Sequence, residues 1–102
     1  MFVAVAYDDI NANPCNVAAS STDGITWTVR TLPSSQYWNS VAYGNGMFVT
    51  TAVGSNASAY SSDGITWTAL ALPASEEWWG IAYGNGRFVA VAGGDAAAAS
   101  IP

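Results

Sequence analysis

The seven residues Ser61-Ser62-Asp63-Gly64-Ile65-Thr66-Trp67 repeat, with one change, Ser21-Thr22-Asp23-Gly24-Ile25-Thr26-Trp27. From Asp23 to Asp63 is forty residues, and the offset holds well beyond the motif. Residues 21–53 laid over 61–93 give 19 identities in 33 positions, among them Leu32/Leu72, Pro33/Pro73, Trp38/Trp78, Tyr43/Tyr83, the Gly-Asn-Gly of 44–46 and 84–86, and Phe48/Phe88. A period of this length restricts a chain to architectures that stack one supersecondary unit on the next: a solenoid, a propeller or an array.

The unit itself is all-β. No segment of the repeat has the 3.6-residue period of an amphipathic helix, and short runs rich in Val, Thr, Tyr, Phe and Trp alternate with Gly, Asn, Asp, Ser and Pro. The central copy predicts four strands. The first covers 38–43 and is followed by a tight turn at Gly44-Asn45-Gly46, whose residues tolerate positive φ. Met47 to Val53 forms the second, Gly54-Ser55-Asn56 a loop, and Ala57 to Ser61 the third. Asp63-Gly64 signals a two-residue hairpin, and Thr66 to Leu72 completes the set, with Pro73 as its stop. The small residues Ala57, Ser58 and Ala59 permit close approach of sheets, whereas Tyr43, Phe48 and Trp67 fill the space between them.

Four antiparallel strands per forty residues is the unit of a β-propeller blade. On this reading residues 1–33 are an incomplete blade with an enlarged loop at 8–16, residues 34–73 a complete blade, and residues 74–102 a second incomplete one, with Ala96 to Ser100 as a degraded third strand or an alanine-rich tail. About two and a half blades result, which leaves two broad faces uncovered. Closure of the ring then falls to head-to-tail copies of the chain or to the remainder of a longer polypeptide. The phase, with the second strand duplicated at each junction, favours a partial chain.

Composition narrows the partners. Hydrophobic residues make up 51% of the 102 and charged residues 9%, so a packed core is expected and the surface is left to Ser, Thr, Asn, Gly and Ala. Such a balance is common in secreted and virion-surface β proteins. Two arginines, no lysine and a net charge of −5 argue against nucleic acid, whose binding needs cations to neutralise phosphates, and against anionic membrane surfaces. No apolar run approaches the length of a membrane-spanning helix. Cys15 is the single cysteine, so no intrachain disulfide forms.

Ser-x-Asp-Gly-x-Thr-Trp resembles the Asp-box, or BNR repeat, of sialidases, other glycosidases, sortilin-like receptors and many phage or secreted proteins. The resemblance extends over essentially the whole chain, although the commonest form has one more residue between Asp and Gly. It implies a structural clasp between the third and fourth strands of a propeller blade, built from Ser21, Asp23, Gly24, Thr26 and Trp27 and again from Ser61, Asp63, Gly64, Thr66 and Trp67. In that clasp the Asp accepts turn N–H bonds, the Thr ties back across the hairpin, and the Trp packs beneath. The accompanying Val/Ile-Ala-Tyr-Gly-Asn-Gly-x-Phe-Val pattern resembles repeats of bacterial and phage surface proteins described as sialidase-like.

Catalysis is not the expectation, and no cofactor or metal site is expected. A sialidase-like glycosidase would grip a carboxylate with an arginine cluster, yet Arg30 and Arg87 occupy non-equivalent positions of the repeat. Histidine, the commonest general base, is absent. Glu76 and Glu77, adjacent on the chain, would point to opposite faces of a strand and read better as a solvated loop. Asp8, Asp9, Asn11 and Asn13 offer oxygens for calcium but lack an EF-hand pattern, so a polar loop is expected.

Function is instead expected where the fourth strand passes to the next first strand. There Tyr37, Trp38, Asn39, Trp78 and Trp79 set aromatic faces beside amide and carboxylate groups, a combination suited to the two sides of a sugar ring. Trp38 and Trp78 recur in both copies and also fit a core role; Tyr37 and Trp79 are each unique to one copy. The leading expectation is a non-catalytic module for glycan or surface recognition, as in a lectin or phage adhesin. The alternative is a structural propeller that mediates protein–protein contacts, with a fragment of a sialidase-like glycosidase less well supported.

Overall fold

A computed structural model describes residues 1–93 and 98–101. The fold is all-β and open. Seven strands follow one another in sequence order, each antiparallel to the next: β1 (Phe2–Val5), β2 (Cys15–Ser21), β3 (Thr28–Gly44), β4 (Met47–Ser61), β5 (Thr68–Gly84), β6 (Arg87–Ala92) and β7 (Ala98–Ile101). Their ladders separate into three sheets because β3 and β5 each change partner part-way. β3 pairs with β2 from Thr28 to Gln36 and with β4 from Tyr37 onward, while β5 pairs with β4 as far as Glu77 and with β6 from Trp78.

Both long strands bend. A straight 17-residue strand would run about 55 Å, beyond the 40 Å of the longest axis. The bend sits at the same place in each copy. Between Cys15↔Gln36 and Val17↔Thr31, two steps of β2 oppose five of β3, and the pair Ser55↔Glu76 and Ala57↔Ala71 repeats this forty residues on. Pro73 lies inside that interruption, where its missing N–H forgoes no ladder bond, so it does not stop β5 as the sequence suggested. Glu76 and Glu77 accordingly lie in the strand, opposite Ser55 and Val53, and not in a loop.

β4 contains a reversal of its own. The Ser58 hydroxyl donates to the Thr50 carbonyl at 2.8 Å, whereas eight residues of straight strand span about 26 Å. The chain therefore folds back between them, at Gly54, whose φ of +84° suits glycine. The expected loop at 54–56 is thus a turn inside a continuous extended run. Asn45 and Asn85, at φ +52° and +53°, with Gly46 and Gly86 at +75° and +79°, form the expected tight turns before Met47 and Arg87. Of the alanine-rich end, Ala98–Ile101 pairs with β6 as a third strand, and residues 96 and 97 lie outside the described residues.

Two apolar clusters fill the spaces between sheets. Ala18 and Leu32 of the first sheet meet Trp38, Phe48, Ala52, Ala59 and Trp67 of the second, flanked by Val3 and Val5. Val49 and Leu72 of the second meet Trp78, Phe88 and Ala90 of the third. Repeat-equivalent residues do the same work in each: Leu32 and Leu72 on one side, Trp38 with Phe48 and Trp78 with Phe88 on the other. Of the small residues of β4, Ser58 and Ala59 are buried, Ala59 within the first cluster. Tyr43 does not fill an inter-sheet space; it is exposed, against Phe48 at 4.6 Å between ring centroids.

Candidate functional site

The two motif turns are built alike. Asp23 Oδ1 accepts the N–H of Ile25 at 2.8 Å and of Thr26 at 2.9 Å, and Asp63 Oδ1 accepts those of Ile65 and Thr66 at 2.8 and 3.0 Å. Ser21 and Ser61 donate to the same oxygens, at 3.0 and 2.9 Å, and accept the N–H of Gly24 and Gly64 at 2.8 Å. Those bonds, to the Thr N–H first, hold both carboxyls below the ordinary aspartate pKa, because each stabilises the ionised form. The side chains thereby supply partners that a ladder would otherwise provide, so β3 and β5 begin only at Thr28 and Thr68 and the connection exceeds the two-residue hairpin expected. Oδ1 of each aspartate is thus committed to its own turn, to two backbone N–H groups and a serine hydroxyl, which is the chemistry of a clasp.

The tryptophans of the two turns part company. Trp67 is buried in the first inter-sheet cluster, whereas Trp27 is exposed and does not pack beneath its turn as expected. Trp67 finds its cover in the first sheet; among the described residues no sheet lies on the corresponding side of Trp27.

The five residues singled out at the bends divide similarly. Trp38 and Trp78 are core residues, their ring faces withheld from any ligand, and Trp38 Nε1 donates to the Ser34 carbonyl at 3.1 Å. Asn39 is half-buried and acts as a strut: its Nδ2 donates to the carbonyl of Trp79 at 2.7 Å and of Trp78 at 3.4 Å, and so ties β3 to β5. The N–H of Ile81 donates to Ser40 Oγ at 3.3 Å beside it. Trp79 keeps about half its surface open, its ring edge against Gly93, whose own N–H donates to the Glu77 carbonyl. Tyr37 is half-buried.

Tyr37 has company that sequence reasoning did not name. Tyr7 lies 5.0 Å away between ring centroids, tilted by 38°, and the Tyr37 hydroxyl donates to the Ala12 carbonyl at 3.3 Å. The enlarged loop thus folds over the start of the inner half of β3. Asp9 shapes it, with Oδ1 accepting the N–H of Asn11 at 2.8 Å and of Asn13 at 3.0 Å, and Ala12 takes φ +63°. Among the described residues no three His, Cys, Asp or Glu converge as metal ligands. The six extra residues of the first copy were the available signal for Tyr7.

A second departure between copies is Arg30, which replaces Leu70. Its Nε donates to Ser20 Oγ at 2.9 Å, and Ser20 replaces Tyr60. Tyr60 and Leu70 pack on the second inter-sheet cluster; their polar counterparts Ser20 and Arg30 line a groove of about 170 Å³ together with Met1, Ser21, Thr22, Thr26 and Thr28. Arg87 is exposed at the far turn, so the two guanidinium groups do not share a site. No protein-family model and no curated protein sequence matches the chain.

Proposed function

We propose that the chain is a non-catalytic recognition module, a partial β-propeller whose three sheets are successive blades, and that it binds glycans or a glycan-bearing surface. One observation carries the reading. Partly open aromatic side chains stand where β3 and β5 enter their inner halves: the Tyr7–Tyr37 pair, 5.0 Å apart between ring centroids, on β3, and half-open Trp79 on β5, whose carbonyl accepts from Asn39 of β3. Aromatic planes with amides and hydroxyls beside them suit a sugar's apolar face and its hydroxyl rim, and they need no charge. Trp38 and Trp78 support that platform from within.

A glycan array with isothermal titration of any hit tests this. Binding by the intact protein, reduced at least tenfold in Tyr37→Ala and in Trp79→Ala, is the expected result. Absence of binding to every glycan would overturn it.

A second reading, a structural module that mediates protein–protein contacts, is favoured by a different observation. Phe2, Trp27 and Val29 lie exposed together on the outward side of the first sheet, where a solvated face would alternate to polar residues.

A further inference from the structure

The repeat makes the chain its own control for burial. Phe48 and Trp67 are 7% and 9% exposed; their counterparts in the first copy, Phe2 and Trp27, are 54% and 44% exposed. Val49 is fully buried, and its counterpart Val89 is 39% exposed. Residue type is the same within each pair, so the difference lies in what covers them. The side of the second sheet that bears Phe48, Ala59 and Trp67 is covered by the first sheet through Ala18 and Leu32. Its other side, bearing Val49 and Leu72, is covered by the third through Trp78, Phe88 and Ala90.

The outward sides of the first and third sheets are copies of those two sides. Val5↔Ala18 and Ala18↔Arg30 face the second sheet, so the alternating Phe2, Val17 and Val29 face away from it. On the third sheet Phe88 and Ala90 face inward, so Val89 and Val91, paired with Ala82 and Gly80, face out and line an apolar groove of about 290 Å³. None of these side chains is charged; Arg87, next on the same side of β6 by alternation, stands exposed at the turn end of that face.

We propose that the two outward sides bind each other between copies of this chain: Phe2, Val17 and Trp27 of one copy dock on the Gly80, Ala82, Val89 and Val91 side of the next. The occupant is a second copy because the contact continues, with repeat-equivalent residues, an interface the chain already forms twice within itself. The arrangement is heterologous, each copy using two different surfaces, so it propagates head to tail until a ring closes. This goes beyond the recognition reading and stands without it, since it rests on burial across the repeat alone.

Sedimentation equilibrium across a concentration series tests it on the full chain. The wild type is expected to exceed monomer mass. Phe2→Asp with Trp27→Asp, and separately Val89→Asp with Val91→Asp, are each expected to sediment as monomers with an unchanged β circular-dichroism spectrum. Mixed, the two variants retain one intact pair of faces and are expected to form a 1:1 dimer and nothing larger. Should the aspartates unfold the chain, Val29→Lys and Val91→Lys, at side chains already 72% and 47% exposed, serve in the same design. A monomeric wild type overturns the proposal, as do folded variants that keep the wild-type mass or that fail to combine. A negative glycan array leaves it standing, and a monomer that binds glycans refutes it alone.

Discussion

The ring of Tyr83 lies directly on the backbone of Gly44. A methyl group placed on that glycine would overlap the Tyr83 ring. Tyr83 belongs to the inner half of β5 and Gly44 ends the inner half of β3, so this contact, with the Asn39 strut, sets how closely the second and third sheets approach. Gly84 is the counterpart of Gly44 one repeat later, and an added methyl there meets nothing within 4 Å.

Gly44→Ala is therefore expected to destabilise the fold by about 1–3 kcal/mol, the usual range for overpacking a tight contact. Gly84→Ala, the same change at the same position of the repeat, is expected to stay within about 0.5 kcal/mol of wild type. Urea denaturation of the two variants checks this, and equal losses would show that the glycines serve their turns and not the inter-sheet contact.

Neighbouring threonines at the centre of β4 are expected to respond oppositely to one substitution. Both are fully buried. Thr50 Oγ1 donates to the Ser40 carbonyl at 2.7 Å, whereas Thr51 Oγ1 has no hydrogen-bond partner among the described residues. Removing a made bond costs about 1 kcal/mol, and removing an unpaired buried hydroxyl returns its desolvation cost. Thr50→Val is expected to destabilise by about 1 kcal/mol and Thr51→Val to be neutral or stabilising. Denaturant midpoints at constant m-value decide it.

Much of this architecture was legible because the repeat reports on itself. Turn-residue chemistry anticipated the turns at Asn45-Gly46 and Asn85-Gly86, and the motif's resemblance anticipated the aspartate-centred bonding of both turns, features that depend on local backbone chemistry. What sequence could not settle was non-local. Trp27 and Trp67 sit in the same motif, and only the presence of a covering sheet separates the exposed ring from the buried one. Pro73 reads as a strand stop until the register break around it is known. At the candidate site, Tyr37 and Trp79 were visible as departures between copies, but Asn39 became a strut and Tyr7 a ring partner through contacts 40 and 30 residues away.

The tryptophans Trp38 and Trp67 share one buried cluster but differ at the indole nitrogen. Trp38 Nε1 donates to the Ser34 carbonyl, and Trp67 Nε1 is buried with no partner among the described residues. Phenylalanine keeps most of the apolar surface of either. Trp38→Phe loses a made bond, whereas Trp67→Phe sheds an unmatched buried donor, so the first is expected to be the more destabilising by about 1–2 kcal/mol. Thermal unfolding followed by far-UV circular dichroism measures the difference; the reverse order would mean that cavity volume outweighs the polar term.

Acid should reveal the clasps. Asp23 and Asp63 have pKa values lowered in the folded protein, by the Thr26 and Thr66 N–H groups first, then by those of Ile25 and Ile65, then by the serine hydroxyls. A lowered folded pKa means that the folded state binds fewer protons than the unfolded one. The stabilisation is then complete above the unfolded aspartate value of about 4 and declines as pH falls through the lower folded value. Asn in place of both aspartates keeps a carbonyl acceptor for the turn but carries no charge at any pH. The double variant Asp23→Asn, Asp63→Asn is accordingly expected to be less stable than wild type at neutral pH, with the gap narrowing as pH drops below about 4. Urea midpoints measured from pH 7 down to about 2.5 follow the gap directly. A gap that stays constant over that range would show that the carboxylate charge contributes nothing to either clasp.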